Sequence, residues 1–140
     1  MGGESVWKIH VSFVCCRNQA TTICRRKSFE LSSLELYRNI FEVNTIANIN
    51  IAKKLISFSK QKNQHLNILF ISSIVGARGF NELSTYAVSK AALEGFVKSV
   101  AVELSKDKVQ LNCLSPGFVE SSYADSFQLN KQDLYKWTLD

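Results

Sequence analysis

No apolar run in these 140 residues approaches the length needed to cross a bilayer, which excludes a membrane-spanning helix within the sequence. The opening stretch MGGESVWKIH lacks a signal-peptide pattern: VSFVCC is too short an apolar core, and its context is strand-like. Paired CxxC spacing is missing as well. The four cysteines (Cys15, Cys16, Cys24, Cys113) do not form a zinc signature, and an adjacent pair is poorly placed for a disulfide. Free thiols in a reducing compartment are expected, hence a cytoplasmic protein with no metal site. The two histidines, His10 and His65, fall far apart, on a strand and in a polar loop, and neither receives a role. There is no internal repeat, low-complexity tract or interdomain linker, so residues 1–140 read as one domain at most.

What remains is ordinary for a soluble globular chain: 46% apolar residues and 21% charged ones. The net charge of +5 would suit an anionic partner such as a phosphorylated cofactor. Lysines scattered along helices read instead as solvated surface, and no nucleic-acid or membrane partner is expected.

The alternation of Val11, Phe13 and Val14 predicts a strand over Trp7 to Cys16, followed by a polar loop from Arg17 to Arg26. Ser32-Ser33-Leu34-Glu35 has a capping-box pattern and predicts a helix start. Apolar residues then keep helical spacing from Leu36 through Ile56 to about Ser59, with a bend expected near Asn44. A polar connection runs to His65. Leu66 to Ile71 (LNILFI) is a short branched apolar run, the mark of a buried parallel strand. Ser72-Ser73 ends it, with Ser72 expected to cap the turn, and Gly76 and Gly79 mark a loop. A helix is predicted from Ser84 to Leu104 and a strand from Val109 to Leu114, closed by Ser115-Pro116-Gly117. Beyond Pro116, residues Glu120 to Asp140 read as short helices or a flap. Strands alternating with helices imply right-handed crossovers and a parallel sheet, with ligands beyond the strand carboxyl ends, where Ser73 and Pro116 lie.

Tyr86 and Lys90 stand four apart on the predicted helix, about 40° from each other around its axis, and so share a face. An ammonium beside a phenol favours the phenolate. Thirteen residues before Tyr86, Ser73 could hold a carbonyl oxygen over that phenol, which suits moving a proton while another agent moves a hydride. YxxxK alone recurs by chance and also suits an amphipathic helix with a packed tyrosine and a solvated lysine. In order and spacing, however, ISSIVGARG, STYAVSKAALEGFVKSVAVEL and VQLNCLSPGFVES resemble the short-chain dehydrogenase/reductase family. The resemblance covers Ser28 to Phe127 well and Trp7 to Ala20 poorly.

That resemblance implies an α/β fold, a partial Rossmann-like doubly wound parallel sheet. It implies an NAD- or NADP-dependent oxidoreductase that interconverts a carbonyl and a secondary alcohol, a 3-oxoacyl thioester being one reasonable substrate. Tyr86 would be the general acid/base. Lys90 would lower its pKa and hold the nicotinamide ribose hydroxyls. Ser73 would hydrogen-bond the reacting oxygen. Asn44 matches the family's helix asparagine, which supports a water-linked proton path; read alone, it is a polar residue at a helix bend. Pro116, Gly117 and Val119 match the segment beside the nicotinamide, though Pro-Gly also suits a plain turn. The family also dimerises through its two long helices, here about Ser33 to Ser59 and Ser84 to Leu104, which implies a homo-oligomer.

The chain departs from the family at both ends. Nothing supplies the GxxxGxG turn that admits a pyrophosphate at a helix N-terminus. The NNAG motif would fall at Asn18-Gln19-Ala20-Thr21, where two of four positions agree, and the C-terminal strand is absent. A parallel sheet so shortened exposes edges and apolar faces, so self-association or a partner chain is expected. The alternative to an enzyme is a non-catalytic, truncated relative acting as an interaction subunit, or an inactive fragment.

Overall fold

Among the described residues, three parallel strands lie side by side in the order in which they occur along the chain. The computed structural model describes residues 9–11 and 27–118. The strands are β1 (Ile9–Val11), β2 (Leu66–Ile71) and β3 (Val109–Leu114). Leu66 lies opposite Val109 and Ile71 opposite Leu114, while Ile9 to Val11 pair with Asn67 to Leu69. Both longer strands coincide with the apolar runs predicted for them. Only the middle of the first predicted strand lies within the described residues, and the Arg17 to Arg26 loop lies outside them.

The first helical arm begins with a single turn at Phe29–Leu31 and continues as α1 (Leu34–Phe41). Ser33 caps α1: its Oγ accepts the Leu36 N–H at 3.2 Å, which satisfies one of the orphan amide groups of the first turn. The serine pair was therefore a sound start signal, although the reciprocal glutamate bond of a capping box is not what closes this turn. From Glu42 to Ile46 the winding loosens to a π turn, in which the Ala47 N–H bonds the Glu42 carbonyl five residues back. The arm resumes as α2 (Ala47–Gln61). The expected irregularity at Asn44 is thus a π turn. A 2.6 Å bond from Ser59 Oγ to the Gln64 carbonyl closes the tight connection into β2.

After β2 the chain forms the five-residue helix α3 (Ile74–Arg78), where only a loop was expected, and then the long helix α4 (Ser84–Glu103). Alternation along β2 turns Leu66, Ile68 and Phe70 inward, with Asn67, Leu69 and Ile71 half-buried on the opposite face. The inward set meets Leu93 and Val97 of α4, Ala52 of α2, and Val109 and Leu111 of β3 in one core. Each such aliphatic side chain removed from water contributes roughly 1.5–3 kcal/mol before ordering costs. Ala52 is 1% exposed. Its small side chain brings α2 close to the sheet. Phe70 and Phe96 meet edge to face, their centroids 5.7 Å apart, which joins β2 to α4.

Candidate active site

The carboxyl ends of β2 and β3 and the N-terminal half of α4 meet at one edge of the sheet. Their seam is sewn by backbone bonds that continue past the strands. Ser72 N–H donates to the Leu114 carbonyl at 2.7 Å, and Ile74 N–H donates to the Pro116 carbonyl at 2.9 Å. These bonds bring the segment carrying Ser73 alongside Pro116 and Gly117. Ser73 has extended backbone (φ −163°, ψ 149°) and its Oγ accepts the Val75 N–H at 3.3 Å, so it caps α3. The capping role expected for Ser72 belongs to Ser73. The strand alternation carries on past Ile71, so Ser72 turns inward and is 3% exposed, while Ser73 is half-buried.

Short helix α3 rests directly on the turn of α4 that bears Lys90. Gly76 makes this possible: a Cβ there would stand 2.8 Å from the Ala91 nitrogen and 3.0 Å from the Lys90 carbonyl carbon. Only hydrogen fits in that space. The glycine signalled more than a loop: it is a contact point between two helices.

Lys90 is 9% exposed. A buried ammonium requires partners. Its Nζ donates to the Ile71 carbonyl at 2.8 Å and lies 5.6 Å from the centre of the Tyr86 ring, within cation–π range. The structure therefore brings Tyr86 and Lys90 together on one face of α4, as their spacing predicts, and ties the lysine to the last residue of β2.

Asn44 sits in the π turn, buried at 7% exposure. Its Nδ2 donates to Ser89 Oγ at 3.1 Å, and its carbonyl accepts from Asn48 Nδ2 at 2.9 Å. Ser89 Oγ in turn donates to the Tyr86 carbonyl at 2.8 Å, and Thr45 Oγ1 donates to the Ser89 carbonyl at 2.9 Å. Ser89 is fully buried. The π turn is thus pinned to the very turn of α4 that carries Tyr86 and Lys90. Tyr37 adds a second tie, its hydroxyl 2.7 Å from Ser84 Oγ at the start of α4. Ser89 had a legible signal: Thr85, Ser89, Leu93 and Val97 recur every four residues, and all are buried.

One turn beyond Lys90, the Glu94 carboxylate accepts from Ser115 Oγ at 2.7 Å and from Ser72 Oγ at 2.9 Å. The Ser115 hydroxyl holds its carboxyl below the usual carboxylate range; partial desolvation opposes this, and Ser72 and the Lys98 charge assist it. Burial pushes the Cys113 thiol up, and the Glu94 charge pushes it the same way. Val119 lies outside the described residues. Among the described residues no group of three His, Cys, Asp or Glu side chains could hold a metal ion, and no helix is long and apolar enough to cross a membrane.

Residues 8–139 match a family model described as enoyl-(acyl carrier protein) reductase. Nodulation protein G of Rhizobium sp. (strain N33) is 35% identical over 86 residues, 61% of this chain and 35% of that protein. The 3-oxoacyl-[acyl-carrier-protein] reductase MabA of Mycobacterium tuberculosis is 32% identical over 87 residues, 62% of this chain and 35% of that protein. The matched stretch thus spans about a third of the length of these curated relatives. Among solved structures, a 4-hydroxyisoleucine dehydrogenase mutant complexed with NADH and succinate superposes with a TM-score of 0.73 at 21% identity. That superposition covers 82% of this chain and 47% of the other, and establishes the fold: an α/β fragment of a Rossmann-type domain. With a family model matched along nearly its whole length, the chain belongs to the short-chain dehydrogenase/reductase family.

Proposed function

We propose that this chain carries the proton-transfer centre of an oxidoreductase that interconverts a carbonyl and a secondary alcohol with NAD or NADP. The observation that carries the reading is the buried Lys90 ammonium beside the Tyr86 ring, on a helix locked in place by Ser89. Tyr86 gives or takes the proton on the substrate oxygen. Ser73 orients that oxygen from the end of β2. Lys90 holds the ribose hydroxyls of the dinucleotide, and Pro116 and Gly117 wall the nicotinamide side. The dinucleotide, when bound, supplies or accepts the hydride. Asn44 fixes the π turn against α4, and a proton path from the lysine through its neighbourhood follows the family pattern. A 3-oxoacyl thioester is the first substrate class to try, in line with the name of the mycobacterial relative.

The test is NADH- or NADPH-dependent reduction of a carbonyl panel by the chain and by its Tyr86→Phe variant. Loss of the proton donor slows turnover by about 10²–10⁴-fold. Turnover that Tyr86→Phe leaves unchanged refutes the assignment.

A second reading, an interaction subunit without its own turnover, draws on another observation. Ile51 and Phe58 of α2 are 40% and 56% exposed, and Val88 and Val102 of α4 are 50% and 74% exposed. Members of each pair are separated by whole heptads and so share a helix face. These are the two long helices expected to meet a second copy. Sedimentation of the wild type against Phe58→Glu and Val102→Lys tests this. A monomeric wild type refutes it.

A further inference from the structure

We propose that Glu94 is a positioning residue of this site, its carboxylate clasping Ser72 and Ser115 so that the ends of β2 and β3 stay in fixed relation. The inference rests on the oxidoreductase reading above. It concerns a residue that makes none of the contacts in that chemistry.

The argument is one of adjacency. Ser72 immediately precedes Ser73, which is to hold the substrate oxygen. Ser115 immediately precedes Pro116 and Gly117, which are to wall the nicotinamide. Glu94 lies one helical turn after Lys90 and so faces the same way. One carboxylate oxygen, Oε1, thereby accepts hydroxyl hydrogen bonds from both strand ends, at 2.9 Å from Ser72 and 2.7 Å from Ser115. Ser72 Oγ also lies 3.0 Å from the Lys90 carbonyl, so the same hydroxyl touches the backbone of the lysine that grips Ile71. Past the strands, the seam otherwise rests on the Ser72 to Leu114 and Ile74 to Pro116 backbone bonds. Glu94 adds the side-chain link that α4 contributes.

The carboxylate is in the right state for the task. Its depressed pKa, caused first by the Ser115 hydroxyl, keeps it an acceptor for both serines at neutral pH. The Lys98 charge assists, and the Cys113 thiol on β3 feels the same carboxylate as a negative neighbour. Ser115 is exposed and water reaches the group, so the clasp acts on geometry and adds little to overall stability.

The test compares Glu94→Leu, which keeps bulk but cannot accept, with Glu94→Gln, which keeps the acceptor without the charge. Ser115→Ala serves as a third variant, since it removes only an exposed hydroxyl and leaves the core intact. In ¹⁵N-labelled full chain, Glu94→Leu and Ser115→Ala are expected to move the amide resonances of Ser72 to Val75 and of Ser115 to Gly117. Glu94→Gln should restore most of that pattern. Shifts confined to α4, or the same shifts in the Leu and Gln variants, overturn the clasp. The second arm is NADH affinity: Glu94→Leu weakens it by about fivefold while Glu94→Gln stays near wild type. Absence of NADH binding by the wild type counts against the oxidoreductase reading, whereas the amide pattern still decides the clasp. Equal affinity in all variants, with binding intact in the wild type, refutes the positioning role.

Discussion

Replacing Gly76 with alanine adds one methyl group where α3 rests on the Lys90 turn of α4. Two effects of opposite sign compete. Alanine inside a helix is favoured over glycine by about 0.5–1 kcal/mol. Against this, the new Cβ would stand 2.8 Å from the Ala91 nitrogen, short of the 3.4 Å at which ordinary contact begins, so the helices must part by about 0.6 Å. The two nearest opposing atoms are backbone and the third is the Lys90 Cβ, so none can swing aside. Overpacking of this kind costs about 1–3 kcal/mol. The clash wins, and a net loss on the order of 1–2 kcal/mol is expected. Urea unfolding followed by circular dichroism reads this as a lower midpoint at unchanged slope. Gly95 of α4 is the control, since a Cβ there meets nothing within 4 Å. Gly95→Ala should therefore gain about 0.5–1 kcal/mol, and the same chemical change takes opposite signs at two sites. A Gly76→Ala protein as stable as wild type would refute the contact between α3 and the Lys90 turn.

Three further outcomes follow from the same structure. Ser89→Ala removes the acceptor of the buried Asn44 amide and should cost about 1–3 kcal/mol, read by thermal unfolding; an unchanged Tm would mean the π turn is not pinned by Ser89. Leu93→Ala opens a cavity among β2, α2 and α4 at a residue 1% exposed, and should cost about 2–5 kcal/mol, read as a lower urea midpoint; an unchanged midpoint would mean Leu93 is not a core residue. Glu94 is held below the usual carboxylate range by its serine partners, so its folded-state pKa lies under the unfolded value. Its contribution to stability is then fully present above the unfolded carboxylate pKa of about 4.3 and is lost as pH falls through the folded value, so Glu94→Gln should flatten that part of the acid-denaturation profile.

Much of the fold was legible because it is written in local patterns. LNILFI and VQLNCL are short branched runs bounded by polar or turn residues, and the strands Leu66–Ile71 and Val109–Leu114 match them residue for residue. The start of α4 at Ser84 also matched, within a segment whose small residues and YxxxK spacing carry the family resemblance. What stayed hidden depends on atoms far apart in the chain. The Asn44 to Ser89 bond joins residues 45 positions apart, and the Glu94 link to Ser72 spans 22. No periodicity encodes either partner. In the sequence Gly76 marks a loop; its use as a close-approach point shows only when Lys90 and Ala91 stand opposite it. The capping role expected of Ser72 falls to Ser73 for a simple reason. The two-residue alternation of β2 runs one step past the strand and turns the first serine inward.

The most direct test of the central claim is a fluorescence titration of the purified, folded chain with NADH and NADPH. The account predicts saturable binding that Lys90→Met weakens, because the lysine is assigned to the ribose hydroxyls. A folded sample that binds neither dinucleotide, or that binds equally well with Lys90→Met, would contradict it.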